Sequence, residues 1–160
     1  MRQKVINLFI DFDIMSSDED KNEFTIDIER LEDYKFRVEF DKDSMGELLT
    51  DESEEAGGDE EGPNPTRLLA ASTLNCLMAS LTFCLDKKRV DLKSLKGSVT
   101  GIIERVEGRL RITKLEASIR PEVNIGDKEK LEKCLDIFED YCVVTQSIRN
   151  GIDVEVEVEV

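Results

Sequence analysis

A mixed α+β domain, in which helices cover antiparallel sheets, is the fold class this chain predicts. Three observations carry that prediction. Runs with strand alternation lie on both sides of a long uncharged stretch, residues 68–85. Glu107-Gly108 divides two alternating runs as a hairpin turn does. Residues 127–141 repeat apolar side chains at helical spacing. With 160 residues the chain is read as one domain over 1–160, large enough to bury a real core.

The N-terminal part, residues 1–50, reads as strands: VINLFIDFDI over 4–13, EFTIDIER over 23–30 and KFRVEF over 35–40, with SSDEDKN as a turn between the first two. Residues 51–62, DESEEAGGDEEG, hold seven carboxylates and no apolar anchor, and so read as a mobile acidic surface loop. The oxygen-ligand spacing of a calcium loop is absent from it. Residues 63–160 follow as a helix-hairpin-helix-strand part. Gly62-Pro63-Asn64-Pro65 makes a turn whose second proline suits the first turn of a helix. That helix runs through Cys76 and Cys84 to Asp86-Lys87-Lys88-Arg89, where cations suit a C-terminus. Strands over 97–106 and 109–123 make the hairpin, residues 127–141 make an amphipathic helix, and IDVEVEVEV after Asn150-Gly151 reads as a closing strand with Glu facing out.

Charge and composition narrow the function. A net charge of −15 argues against a nucleic-acid partner, whose phosphates need Lys and Arg. The absence of His removes the commonest general base and a principal metal ligand, so catalysis would fall to Cys, carboxylates, Arg or Lys. Asp11 and Asp13 interrupt the apolar N-terminal run, which does not read as a signal peptide; the expected compartment is the cytoplasm. The 18 uncharged residues 68–85 approach the length of a membrane span. Ser72, Thr73, Asn75, Ser80 and Thr82 make them read instead as a helix buried inside a protein, with no membrane partner.

Four cysteines fall into two pairs of identical spacing, Cys76 with Cys84 and Cys134 with Cys142. Eight helical residues span roughly 12 Å, whereas a disulfide needs Cα atoms within about 7 Å, so any bridge crosses between segments. Cys76 with Cys142 and Cys84 with Cys134 would meet on antiparallel helices, Cys76 with Cys134 and Cys84 with Cys142 on parallel ones. In a reducing cytosol disulfides tend to be transient and catalytic, hyperthermophiles being the exception; the high charged fraction, two Gln and no Trp give this chain some of that character.

GPNPTRLLAASTLNCL, followed about sixty residues later by YCVVTQSIRNGIDVEVEV, resembles the OsmC/Ohr family of organic hydroperoxide resistance and osmotically inducible proteins. The resemblance covers roughly residues 60–160. It implies an OsmC-like fold, with antiparallel sheets packed around a long central helix in an intertwined homodimer whose active sites lie at the subunit interface. It also implies a cytosolic thiol-dependent peroxidase that takes a hydroperoxide substrate and an external dithiol reductant, without metal or cofactor. The family's attacking cysteine falls on Cys76 and its resolving cysteine on Cys142. Such chemistry needs a thiolate that becomes a sulfenic acid and then condenses with a second thiol. Leu74, Leu77, Met78 and Phe138 would give apolar walls for a greasy hydroperoxide. Cys84 and Cys134 read as small packing residues.

The chain departs from the family pattern at two places. Thr66 stands where the family usually has a Glu paired with an N-terminal arginine, and Val143 stands where a proline often follows the second cysteine. A cation that lowers the Cys76 pKa has Arg30, Arg37, Arg67 and Arg149 as candidates, Arg67 and Arg37 foremost. Arg67 lies nine residues from Cys76, roughly 13 Å on a continuous helix. It could therefore act only if the helix breaks or if it comes from another subunit. The alternative reading is an OsmC-like dimer without peroxidase power, which senses redox state or binds a small hydrophobic ligand.

Overall fold

The computed structural model describes residues 22–160, so the strand expected over 4–13 and most of the turn after it lie outside the described residues. β1 (Ile26–Glu32), β2 (Lys35–Phe40) and β3 (Leu48–Thr50) form an antiparallel meander in that order. Alternation of Ile26, Ile28 with charged neighbours sets β1, and Ile28↔Val38 and Val38↔Leu48 fix the register of all three strands on one row.

The acidic segment after β3 is tied together by its first residue. Asp51 is only 2% exposed, and its carboxylate accepts backbone N–H bonds from Glu52 (2.8 Å), Asp59 (3.0 Å) and Glu61 (3.2 Å). Lys35 of β2 then closes the loop through ion pairs with Asp59 (3.0 Å) and Glu61 (3.1 Å), which push its own pKa upward. The segment is a loop as expected, with a polar anchor in place of the missing apolar one. Burial opposes ionisation of Asp51, but the N–H bonds from Glu61, Asp59 and Glu52, with Lys35 nearby, outweigh it and hold the carboxyl below its ordinary 3.8. A depressed carboxyl contributes stability above its unfolded pKa and loses it as pH falls through the folded one. Stability should thus decline as pH drops below about 4, and Asp51→Asn should flatten that part of a urea-unfolding pH profile.

α1 (Pro65–Lys87) starts where the turn residues place it. Asn64 caps it by accepting the Arg67 N–H at 3.0 Å, and Pro65 occupies the first turn, where its missing N–H costs nothing. Its buried stripe is Thr73, Leu77, Leu81 and Leu85, one residue per turn at four-residue spacing. By length and composition α1 could cross a membrane, yet it carries the hairpin along one side and the later helices along another.

The hairpin is β4 (Leu92–Val106) and β5 (Arg109–Val123), paired from Leu92↔Val123 to Val106↔Arg109. Both turn residues have positive φ, 49° at Glu107 and 80° at Gly108, as a two-residue hairpin turn matched to strand twist requires. α1 packs against β4 at Gly97, where an added Cβ would lie 3.0 Å from Leu74 Cδ1 and 3.1 Å from Met78 Sδ. The core gathers at the C-terminal end of α1, where Leu81, Leu85, Val90 and Cys134 are buried with Leu92, Leu95, Ile119, Leu131 and Phe138 against them. Leu81→Ala should cost about 3 kcal/mol, read as a lower denaturant midpoint at unchanged slope.

The helix expected over 127–141 is divided. α2 (Lys128–Leu135) ends early, a 3-10 turn covers Phe138–Tyr141, and α3 (Val143–Asn150) begins a new helix with Cys142 as its cap. Ile137 leaves helical geometry at φ −128°, and Cys142 must be extended to cap α3, so one continuous helix cannot pass through both. The closing strand is corrected as well. Residues 151–160 form no strand, and Val154, Val156 and Val158 are 76–80% exposed, because alternation alone supplies no hydrogen-bonding edge.

Candidate functional site

Cys76 lies in the middle of α1, which packs against α3. The groups that bear on the ionisation of its thiol are the Cys142 thiol and the backbone N–H groups of Val144 and Val143, the first residues of α3. Free N–H groups at a helix N-terminus favour negative charge there. Cys142 is fully buried. Its thiol donates to Thr145 Oγ1 at 3.0 Å and its sulfur accepts the Thr145 N–H at 3.4 Å, so Thr145, itself buried, fixes the orientation of the second sulfur. Thr145 and the two N–H donors were not foreseen; the signal was the three-residue spacing from Cys142 to Thr145, that of a cap to its bonded N–H.

The other pair is closed. Cys84 and Cys134 form a disulfide with Cα atoms 5.7 Å apart, bridging α1 and α2, whereas Cys76 and Cys142 are free thiols. Of the two pairings left open, the antiparallel one is present, with one rung oxidised and the next reduced. The reading of Cys84 and Cys134 as packing thiols is corrected. Cys134 is fully buried in the core, but its sulfur is covalently bound there.

Burial pushes the Cys76 thiol above its ordinary 9.0, and its hydrogen bond with Cys142 adds to that; the N–H groups of Val144 and Val143 pull the other way. Among the described residues, the arginines considered as candidates are engaged elsewhere. Arg37 of β2 is held by Glu29 and, at 3.0 Å, by Glu39. Arg67 faces Glu60 at 3.8 Å, and α1 is unbroken between Arg67 and Cys76, which removes a route within one chain. Arg30 donates to the Asp33 carbonyl, and Arg149 pairs with Glu139 at 2.7 Å. Thr66 donates its hydroxyl to Asn64 Oδ1 at 2.9 Å and so reinforces the helix cap.

The four expected apolar wall residues divide between two sides of α1. Leu77 and Phe138 line a groove of 540 Å³ together with Thr73, Ile112, Thr145 and Ile148. Leu74 and Met78 face the hairpin at Gly97, and Leu74 lines a second groove that holds Thr66 and Arg67.

A long helix, an antiparallel hairpin laid along it and a cross-helix thiol pair define the class of protein, and comparison supplies the family. A family model described as OsmC-like protein matches residues 57–157. The chain belongs to this OsmC-like family. Solved structures agree in fold. An OsmC-like protein of unknown function from Vibrio cholerae aligns at TM-score 0.69 and 16% identity over 79% of this chain and 94% of its own. An organic hydroperoxide resistance protein OsmC from Legionella pneumophila aligns at 0.59 and 18%, over 84% and 96%. An organic hydroperoxide resistance protein from Elizabethkingia anophelis aligns at 0.55 and 18%, over 83% and 94%. No curated protein sequence matches the chain.

Proposed function

We propose that the chain is a thiol-dependent peroxidase for organic hydroperoxides, with Cys76 as the attacking and Cys142 as the resolving residue. The observation that carries this reading is the pair of free thiols, Cys76 on α1 and Cys142 as the cap of α3, on two elements that pack together. The Cys76 thiolate attacks one peroxide oxygen, the O–O bond breaks, and the other oxygen leaves as an alcohol after taking a proton. Cys76 is then a sulfenic acid. The Cys142 sulfur attacks the Cys76 sulfur, an S–S bond forms, and the S–O bond breaks with loss of water, whose second hydrogen is the Cys142 proton. An external dithiol returns two electrons and two protons to the pair. The groove beside Leu77 and Phe138 suits an apolar substrate body; neither cysteine lines it, and it adjoins the thiol pair through Thr145, the partner of Cys142.

The active unit we propose is a cytoplasmic homodimer. Exposed apolar residues on the hairpin and tail, Ile103, Leu110, Val154 and Val156 among them, support an interface, across which Arg67 or Arg37 of a second copy would supply a cation to Cys76. This yields a test by alkylation. In the assembled protein, iodoacetamide should modify Cys76 with a pH midpoint below the ordinary 9.0, and Arg67→Gln or Arg37→Gln should move that midpoint up. A midpoint that stays above 9.0 favours the second reading, an OsmC-like redox-responsive or ligand-binding dimer, for which the burial-raised Cys76 pKa is the specific support.

A further inference from the structure

We propose that the Cys84–Cys134 disulfide is a positioning device for the neighbouring thiol pair: it holds the segment carrying Cys142 in register with α1, and so sets how readily Cys142 closes on Cys76. The proposal rests on the peroxidase reading for its kinetic consequence, while its geometric part can be tested without peroxide.

The cysteines are spaced by eight residues on both segments, so the cross-link is one rung of a ladder whose next rung is the thiol pair. α2 needs such a link. Its sequence KEKLEKCL buries one side chain, Cys134, with Leu131 half-buried beside it, which leaves little noncovalent grip on α1. Helical continuity does not place Cys142 either, because α2 stops at Leu135 and the path through Ile137 and Tyr141 is exposed and irregular. Beyond that break the chain is braced on itself: Gln146 Nε2 donates to the Glu139 carbonyl at 3.0 Å, and Arg149 pairs with the Glu139 carboxylate at 2.7 Å. The 3-10 turn and α3 thus form a small unit that packs on α1, with Phe138 against the core, and whose only covalent tie to α1 among the described residues is at Cys134, eight residues before Cys142. Full burial of Cys134 among Leu81, Leu85 and Val90 shields its sulfur from thiol exchange, which leaves the half-buried Cys84 sulfur as the point of access.

During turnover the Cys76 sulfenate has two fates. Attack by Cys142 gives the disulfide and water. Attack of the sulfenate sulfur on a second hydroperoxide molecule forms a second S–O bond, breaks the O–O bond, releases a second alcohol and leaves a sulfinic acid. A displaced Cys142 slows the first route and leaves the second untouched, and ångström-scale misplacement of reacting groups costs one to two orders of magnitude.

The variant Cys84→Ala/Cys134→Ala decides the matter. With cumene hydroperoxide, sulfenate formation at Cys76, trapped by dimedone, should stay within about twofold of the parent, while sulfinic acid per turnover, read by mass spectrometry, rises about tenfold. In a glutathione titration without peroxide, the equilibrium constant for closing Cys76 with Cys142 should fall about tenfold, with Cys84–Cys134 of the parent staying oxidised throughout. Val90→Ala, which weakens the same core without cutting the link, should leave both quantities at parent values. If the double alanine variant does not fold, Cys84→Ala/Cys134→Val refills the core and serves in its place. Unchanged partitioning and unchanged closure, or an equal shift in Val90→Ala, would overturn the proposal. A parent protein inert to hydroperoxide would sink the peroxidase reading alone, since the glutathione arm still reads the register of the two thiols.

Discussion

Cys76→Ser should reduce hydroperoxide consumption to the background rate, a loss on the order of 10³-fold or more, whereas Cys142→Ser should spare the first oxygen transfer and end turnover there. The two losses differ because the two sulfurs do different things. In the proposed reaction Cys76 meets the substrate and accepts the oxygen, while Cys142, buried and held by Thr145, acts only on the sulfenate already formed. Stopped-flow consumption of one equivalent of cumene hydroperoxide should therefore be nearly normal in Cys142→Ser, with Cys76 recovered as sulfenic and then sulfinic acid. Equal abolition in both variants would mean that Cys142 helps to activate Cys76.

Removal of the Cys84–Cys134 bridge should have the largest effect on stability. The bridge spans 50 residues, and a loop of that size restricts the unfolded chain by about 4 kcal/mol in the chain-entropy account. At this chain length each kcal/mol moves Tm by about 2–4 °C, so Cys84→Ala/Cys134→Ala should melt roughly 8–16 °C lower. Calorimetry under non-reducing conditions reads this directly. A shift of only a degree or two would mean that the unfolded state gains little from losing the link, or that the noncovalent contacts of α2 are stronger than its single buried side chain implies.

What the sequence disclosed was chiefly local. Asn64-Pro65 and Glu107-Gly108 mark the start of α1 and the hairpin turn because caps and turns depend on a few residues with strong conformational preferences. The equal cysteine spacing limited the pairings to two, and the structure supplies the antiparallel one. What stayed hidden depends on contacts far apart in sequence. The amphipathic pattern of 127–141 passes smoothly through Ile137, with no Gly or Pro to mark the break, since the break serves Cys142 as the cap of α3. The loop over 51–62 looked unanchored because its anchor is a carboxylate satisfied by backbone N–H groups up to ten residues later. The tail over 151–160 has strand alternation but no partner edge within the described chain. Neither Arg37 nor Arg67 could be placed from sequence, since each is held by a nearby carboxylate that the fold brings to it.

The most direct test is peptide mapping by mass spectrometry of the purified protein, its Cys76 and Cys142 reduced, after one equivalent of cumene hydroperoxide. The account predicts a new Cys76–Cys142 disulfide, with Cys84–Cys134 unchanged and one equivalent of alcohol released. Cys76 left as a free thiol, or carried to sulfinic acid while Cys142 remains reduced, would contradict it.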